Sequence, residues 1–253
     1  PRQSIGGRLN GQAKTVANTP AAIASALMGA TQTRAVAYAM AVLERSATMG
    51  VIVAAPTAGA SGVVPGSLIS VAEEIGATDE QVISALWNAS AIGAILTTNA
   101  SVSGAEGGCQ AEVGSAAAMS ASALTELLGG TPQQCLDAAS IAISNLLGLV
   151  GDPVRGLVEY PCQDRNAIGV AAAVSSSQLA LAGVGNPIPF DEVAHAMAEV
   201  GAALPVSLRE TAKGGLAATP SAPTACASCT GCVPLNQTLL DAERILSANN
   251  RDV

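Results

Sequence analysis

Aromatic residues are nearly absent from this sequence, which has one Trp, two Tyr and one Phe among 253 residues. Hydrophobic residues nevertheless make up 49% of the chain, a share large enough to bury a sizeable core. Ala, Val, Leu and Ile must therefore supply nearly all of that core. Because small side chains let helices approach closely, we expect helices that pack almost backbone to backbone.

Basic residues and long apolar runs are also missing. The chain has 11 Lys and Arg against 19 Asp and Glu, a formal net charge of −8, and no basic run. This composition excludes an extended basic surface for nucleic acid and disfavours binding to an anionic membrane. The most apolar stretch, residues 167–184, is interrupted by polar residues and falls short of the roughly 18 apolar residues of a membrane span. Since the sequence does not open with a signal-peptide pattern, we expect a cytoplasmic protein that binds neither nucleic acid nor membrane.

Apolar residues recur at helical spacing along most of the chain, whereas strand patterns are short and few. Helix starts are indicated at Thr78 and Thr131, each followed three residues later by Gln, and a helix end at Gly76. We therefore predict a mainly α fold: a single compact helical domain with glycine-rich functional loops between its helices. The pattern predicts helices over residues 19–49, 65–75, 78–96, 111–128, 131–147, 168–181, 190–204 and 235–246.

Three glycine-rich polar loops lie between the predicted helices, at residues 56–66, 104–114 and 151–166. Two of them contain a cysteine, Cys109 and Cys162. Because glycine lets the backbone approach a ligand, the two glycines before Cys109 would leave room for a bulky inorganic group. A structural turn with a buried free thiol explains the same residues.

A second group of cysteines lies near the end of the sequence, where Cys226, Cys229 and Cys232 form a C-x-x-C-x-x-C run. Thiolates at this spacing suit an iron–sulfur cluster or zinc. A zinc site would need a fourth ligand, yet His195 is the only histidine and no second C-x-x-C pair occurs. The alternative is a cysteine-rich tail without metal. Cys135, inside a predicted helix, is expected to pack in the core.

Four long motifs in this sequence resemble those of a known family and occur in the same order. They are APTAGASGVVPG at residues 55–66, GAEGGCQAEVG at 104–114, DPVRGLVEYPCQDRNA at 152–167 and LRETAKGGLAATP at 208–220. Together they make the chain similar to the iron–sulfur-dependent L-serine dehydratase α chain.

The resemblance implies a domain organisation and a chemistry. Residues 1–220 would form the catalytic domain, and residues 221–253 a cysteine-containing tail with a C-terminal helix. The family resemblance implies a [4Fe–4S] cluster and the conversion of L-serine to pyruvate and ammonia. Cys109 and Cys162 fall where the family has cluster cysteines.

The chain departs from the family in two places. The family usually has Cys where this sequence has Gly151, so one cluster ligand is missing from its expected place. We hypothesise that at least one tail cysteine folds back and completes the coordination with Cys109 and Cys162. The Ser-Ser-His-Thr stretch of the family's β region is also absent here, so the resemblance implies a separate serine dehydratase β chain in an oligomer.

Removal of the serine hydroxyl needs a Lewis acid at the leaving oxygen and a base at the α-carbon. Thr57 and Ser61, or Arg165 with Asn166, are candidates for binding the substrate carboxylate, because hydroxyl and guanidinium groups donate to carboxylates. A surface ion pair is the more ordinary role for an arginine. Glu106 is a candidate for a polar group beside the cluster, or else a loop carboxylate in solvent.

Other functions are open from the residues alone. Lys213 allows a pyridoxal phosphate Schiff base, although no further motif supports one. The glycine at 151 allows a non-catalytic, cluster-binding homologue. A third alternative keeps the chemistry and changes the substrate to threonine or cysteine. His195 is expected to lie on the surface and to take no part in catalysis.

Overall fold

α-Helices make up the regular structure of residues 11–224, the part of the chain that the computed structural model describes. Within these residues no β-strand occurs, and the one β-type pairing is an isolated parallel bridge between Gly151 and Arg209. The predicted mainly α fold with a single compact domain is therefore confirmed. The α-helices of this part are α1 (Gln12–Ala17), α2 (Ala21–Leu27), α3 (Gly29–Ala47), α4 (Val63–Ile75), α5 (Asp79–Asn99), α6 (Gly104–Gly107), α7 (Ser115–Leu127), α8 (Pro132–Ser144), α9 (Cys162–Leu181) and α10 (Phe190–Ala203).

Helix α7 lies at the centre of the domain and packs against α4, α5, α8 and α9. It is rich in Ala and Ser, and its residues are buried along nearly the whole of its length. Larger side chains close the core around it, among them Leu124 on α7, Ile143 on α8 and Met197 on α10, all nearly inaccessible to solvent. The core is therefore built from small side chains with a few aliphatic ones between the helices, as the composition predicts.

Helices α3 and α4 touch backbone to backbone at two glycines. A Cβ atom on Gly66 would lie 2.7 Å from the backbone oxygen of Ala35 and 2.9 Å from the backbone nitrogen of Ala39. A Cβ atom on Gly62 would overlap the backbone oxygen of Ala39. This crossing is possible only because both positions lack a side chain.

The two predicted helix starts and the predicted helix end are confirmed. The hydroxyls of Thr78 and Thr131 each accept a hydrogen bond from the backbone N–H three residues later. The glutamine at that position accepts one in return from the backbone N–H of the threonine, so two donors are satisfied at each start. Gly76 ends α4 in a left-handed conformation, with φ of 64°.

Several predicted limits are wrong: the loop predicted over residues 104–114 contains α6 and a π-helical turn, and the helix predicted over 131–147 ends at Ser144. The helix predicted over residues 19–49 is divided into α2 and α3, because Gly29, the first residue of α3, adopts a left-handed φ of 75°. The loop predicted to reach residue 166 is shorter, because α9 begins at Cys162. The helix predicted over residues 235–246 lies outside the described residues.

Apolar side chains also lie on the outside of the domain. Ile83, Leu86 and Trp87 are exposed on α5, and Trp87, the single tryptophan, is 72% accessible. Residues 51–55 form no strand, and Val51 and Val53 are exposed there. Within the described chain no helix combines the length and the apolar character that crossing a bilayer requires.

Candidate metal centre

Cys109 is buried at the junction between α6 and α7. Gly108 before it has φ of 74°, and a Cβ atom there would lie 2.8 Å from Leu204 Cδ1. Glycine is required here by the backbone conformation and by close packing against Leu204. A π-helical turn, Gln110–Gly114, follows Cys109, and such turns are frequent at functional sites.

Gln110 fixes this turn to two neighbouring segments. Its Nε2 donates to the backbone oxygen of Met197 on α10 at 3.0 Å, and its Oε1 accepts from the N–H of Gly148 at 2.8 Å. Its own backbone N–H donates to Leu149 O at 2.8 Å. The position of Cys109 is therefore set by three hydrogen bonds of its buried neighbour.

Cys162 is the first residue of α9 and is buried beside Cys109. Burial raises the pKa of the Cys109 thiol to about 11, against the opposing effect of the Arg165 charge. Burial also raises the pKa of Cys162, and the negative charges of Cys109 and Glu112 raise it further. Both thiols therefore stay protonated at neutral pH unless a cation binds them, because a metal ion deprotonates the thiols that it binds.

Two carboxylates approach the thiol of Cys109. Ligand atoms of Cys109, Glu112 and Glu210 all lie within 4.8 Å of one another. Thr57 Oγ1 donates to Glu112 Oε1 at 2.7 Å. Burial raises the pKa of Glu112, because it disfavours the charged form. The facing carboxylate of Glu210 raises that pKa further, because it disfavours a second negative charge nearby.

Glycines line the carboxylate side of this centre. A Cβ atom on Gly59 would lie 2.8 Å from Glu112 Oε2, and one on Gly104 would overlap Glu210 Oε1. Any side chain at either position would displace a carboxylate. The first two glycine-rich loops thus make room for protein donors, although no sequence pattern indicates which donors these are.

Arg165 faces the centre from α9 and is fully engaged by the protein. Its Nη2 lies 2.7 Å from Asp152 Oδ1, in an ion pair whose side chains are 13% and 3% exposed. Its Nη1 donates to Cys109 Sγ at 3.2 Å and to Val150 O at 2.9 Å. The guanidinium is therefore placed to stabilise negative charge on Cys109 while it pairs with Asp152.

The side chains of Asn166 and Ser61 form hydrogen bonds with the backbone of the loop before α4. Asn166 Nδ2 donates to Gly59 O and to Cys162 O, both at 2.8 Å, while its Oδ1 accepts from the N–H of Gly62 at 3.1 Å. Ser61 Oγ donates to Ala58 O at 2.8 Å. These two side chains hold the loop that carries Thr57 against the start of α9.

The remaining sequence candidates lie outside this group. Glu106 is exposed and accepts a hydrogen bond from Ser101 Oγ at 2.6 Å. His195 is exposed on α10, and Lys213 is exposed as well. Cys135 is buried in α8, as expected for a core residue. The tail cysteines Cys226, Cys229 and Cys232 lie outside the described residues.

Sequence reasoning missed Glu112, Glu210 and Asp152. All three lie in the motifs that carry the resemblance, and Glu112 follows Cys109 by three residues, yet nothing in the sequence shows that they meet. Glu112 and half-buried Glu210 join Cys109 in a donor set of one soft thiol and two hard carboxylates, with the buried thiol of Cys162 nearby, whereas Asp152 pairs with Arg165. Such a set fits iron, which accepts both kinds of ligand.

Comparison with known proteins gives one consistent family. The sequence model described as "Serine dehydratase alpha chain" matches residues 2–217. The probable L-serine dehydratase alpha chain of Bacillus subtilis is 54% identical over 187 residues, which cover 74% of this chain and 62% of that protein. The L-serine dehydratase alpha chain of Peptoniphilus asaccharolyticus is 53% identical over 184 residues, which cover 73% and 63%.

A third relative is shorter. The probable L-serine dehydratase alpha chain of Latilactobacillus sakei is 51% identical over 187 residues, which cover 74% of this chain and 90% of the relative. The aligned part thus spans less than two thirds of the first two relatives, at 62% and 63% of their length.

Proposed function

Because the chain belongs to the serine dehydratase alpha chain family, we propose that it is the catalytic α chain of an iron–sulfur-dependent L-serine dehydratase. The reaction removes the α-proton and the β-hydroxyl of L-serine as water and leaves 2-aminoacrylate, which tautomerises to an imine that takes up water to give pyruvate and ammonia. The observation that carries this proposal is the grouping of Cys109, Glu112 and Glu210, whose ligand atoms lie within 4.8 Å of one another, with buried Cys162 near enough for their charges to raise its pKa.

Cys109 and Cys162 are the proposed thiolate ligands of a [4Fe–4S] cluster. Two buried thiols without a disulfide, next to Arg165, match the soft donors that such a cluster takes. When bound, the cluster would supply a Lewis acid for the departing hydroxyl. A cysteine of the tail at Cys226, Cys229 or Cys232 is the further ligand that the sequence suggests.

We assign Thr57 and Glu112 to the removal of the α-proton of the substrate. Glu112 is buried, accepts a hydrogen bond from Thr57 and has a raised pKa, which suits a group that takes a proton near neutral pH. In this proposal Arg165 stabilises the thiolate of Cys109. Ser61 and Asn166 hold the loop that carries Thr57 in place. Glu106, exposed and bonded to Ser101, has no part in this proposal.

A separate serine dehydratase β chain is part of the proposal. The first relatives bear the name alpha chain, which supports a partner chain. We expect little pyruvate from this chain alone and much more from an oligomer with the β chain. Full serine turnover by the isolated chain would refute the need for a partner.

The test is anaerobic purification followed by iron and sulfide analysis and by measurement of pyruvate release from serine, threonine and cysteine. Cys109→Ser and Cys162→Ser should each lose most of the iron, because each removes a ligand. Cys135→Ser is the matched control, since Cys135 is equally a buried free thiol but lies in the core of α8. A colourless protein with stoichiometric zinc, or turnover that depends on pyridoxal phosphate, would overturn the proposal.

A further inference from the structure

Glu210 occupies the space that the glycine at position 151 leaves open. A Cβ atom on Gly151 would lie 2.9 Å from Glu210 Cγ and 3.0 Å from Glu210 N. The backbone fixes this arrangement, because the N–H of Glu210 donates to Gly151 O at 2.8 Å and the N–H of Gly151 donates to Leu208 O at 2.7 Å. The side chain of Glu210 can therefore extend toward Cys109 only because residue 151 has none.

The carboxylate of Glu210 lies close to other acidic groups and forms no ion pair with a basic residue of the described chain. It lies within 4.8 Å of both Cys109 Sγ and a carboxylate oxygen of Glu112. Within residues 11–224 no Lys, Arg or His forms an ion pair with Glu210, and the guanidinium of Arg165 is taken by Asp152. Acidic groups gathered in this way need either protons or a bound cation.

Two thiols alone are a sparse ligand set. Cys109 and Cys162 are each at least 97% buried, at 1% and 3% exposure, and both face the centre. Cys135, the remaining cysteine of the described chain, interacts instead with Asn88 and Ser122. A third ligand from residues 11–224 must therefore come from a side chain other than cysteine.

We infer that Glu210 is a ligand of the metal centre and supplies the third protein donor beside Cys109 and Cys162. The inference rests on the proposed function, since it takes the metal cluster as its premise. Carboxylate oxygen is an established donor to iron. Glu210 is also held at φ of 59°, a conformation unfavourable for any residue with a side chain, and such outliers concentrate at functional sites.

The test compares iron retention in four anaerobically reconstituted proteins: the full chain, Glu210→Gln, Glu106→Gln, and a tail variant with Cys226→Ser, Cys229→Ser and Cys232→Ser. Glu210→Gln keeps the size of the side chain and removes its charge. It should release iron to a chelator at least about tenfold faster than the unaltered chain, as loss of a metal's partners typically does. Glu106→Gln is the matched control, an exposed glutamate of the same sign, and should behave like the unaltered chain.

A second variant keeps the inference testable if Glu210→Gln folds poorly by circular dichroism. In Gly151→Cys combined with Glu210→Ala, the new side chain has the space that Glu210 Cγ held, and a thiolate replaces the carboxylate. Iron retention should return toward that of the unaltered chain, and the Mössbauer spectrum should show the change from an oxygen to a sulfur donor.

The possible outcomes separate the inference from the proposed function. If the unaltered chain holds iron and sulfide and Glu210→Gln retains them equally well, the inference is wrong and the function stands. The inference is equally wrong if only the tail variant loses iron. If the unaltered chain binds no iron at all, the proposed function fails and the inference fails with it.

Discussion

At the scale of single residues, Arg165 and Asp152 form an ion pair almost shielded from solvent, with the atoms 2.7 Å apart. Removing one member of such a pair leaves the other charge buried without a partner. Arg165→Met should therefore lower the free energy of unfolding of the metal-free protein by about 3–5 kcal/mol. Urea unfolding followed by circular dichroism measures this loss.

Arg34→Met is the control for that change. Arg34 pairs with Glu73 and Glu74, whose side chains are about half exposed, at 49% and 54%. Its loss should cost much less than the loss of Arg165, because solvent screens exposed pairs. Adding Asp152→Asn to Arg165→Met should recover much of the stability, since the uncompensated charge is gone. Equal losses for Arg165→Met and Arg34→Met would contradict the buried-charge explanation.

The sequence predicts the thiols of the centre better than its other residues. Cys109 and Cys162 stand out because cysteine beside glycine or proline in a polar loop is uncommon. Glu112 and Glu210 do not stand out, because carboxylates are frequent in loops. They are also 98 positions apart in the sequence. Only the packing of α7, α9 and the segment after α10 brings them together.

At the scale of elements, the crossing of α3 and α4 depends on Gly66. Alanine normally stabilises a helix interior relative to glycine by about 1 kcal/mol. At Gly66 the added Cβ would meet the backbone of Ala35 and Ala39, which cannot rotate away. Gly66→Ala should therefore destabilise the protein by about 1–3 kcal/mol, as overpacking does.

Gly114→Ala provides the contrast, measured by the same urea unfolding. Gly114 ends the π-helical turn, and the nearest atoms to an added Cβ are 3.8 Å away, an ordinary van der Waals separation. This change should be neutral or slightly stabilising. Opposite signs for the two variants are the expected result, and similar signs would show that the α3–α4 contact is looser than the distances imply.

Helix ends show how far local sequence determines an element. The caps at Thr78 and Thr131 are predictable, because the donors and acceptors lie within three residues of each other. The division at Gly29 and the start of α9 at Cys162 are not. A glycine inside an alanine-rich run fits a continuous helix as well as a broken one, and packing on the domain decides between them.

At the scale of the whole molecule, the centre joins distant parts of the chain. Cys109 precedes α7, Cys162 begins α9 and Glu210 follows α10. A group that binds these residues together in the folded state, and much more weakly when they are apart, stabilises the fold by mass action. We expect anaerobic reconstitution to raise the unfolding temperature by about 5–10 °C, which corresponds to about 2–3 kcal/mol for a domain of this size.

Differential scanning calorimetry of the metal-free and reconstituted protein measures this shift. Cys109→Ser should show little or no increase on reconstitution, whereas Cys135→Ser should show the full one. An unchanged unfolding temperature in the unaltered chain, with iron bound, would mean that the centre does not link these three segments.

The exposed tryptophan of α5 determines what intrinsic fluorescence can report about this protein. Trp87 is the only indole, and it lies at the surface while the core holds almost no aromatic ring. Because Trp87 is 72% accessible, its emission should already be that of a solvated fluorophore, so unfolding should shift the spectrum little and fluorescence should report core stability poorly. The same property makes Trp87 a built-in sensor with low background, whose emission moves to shorter wavelength when another molecule covers the outer surface of α5.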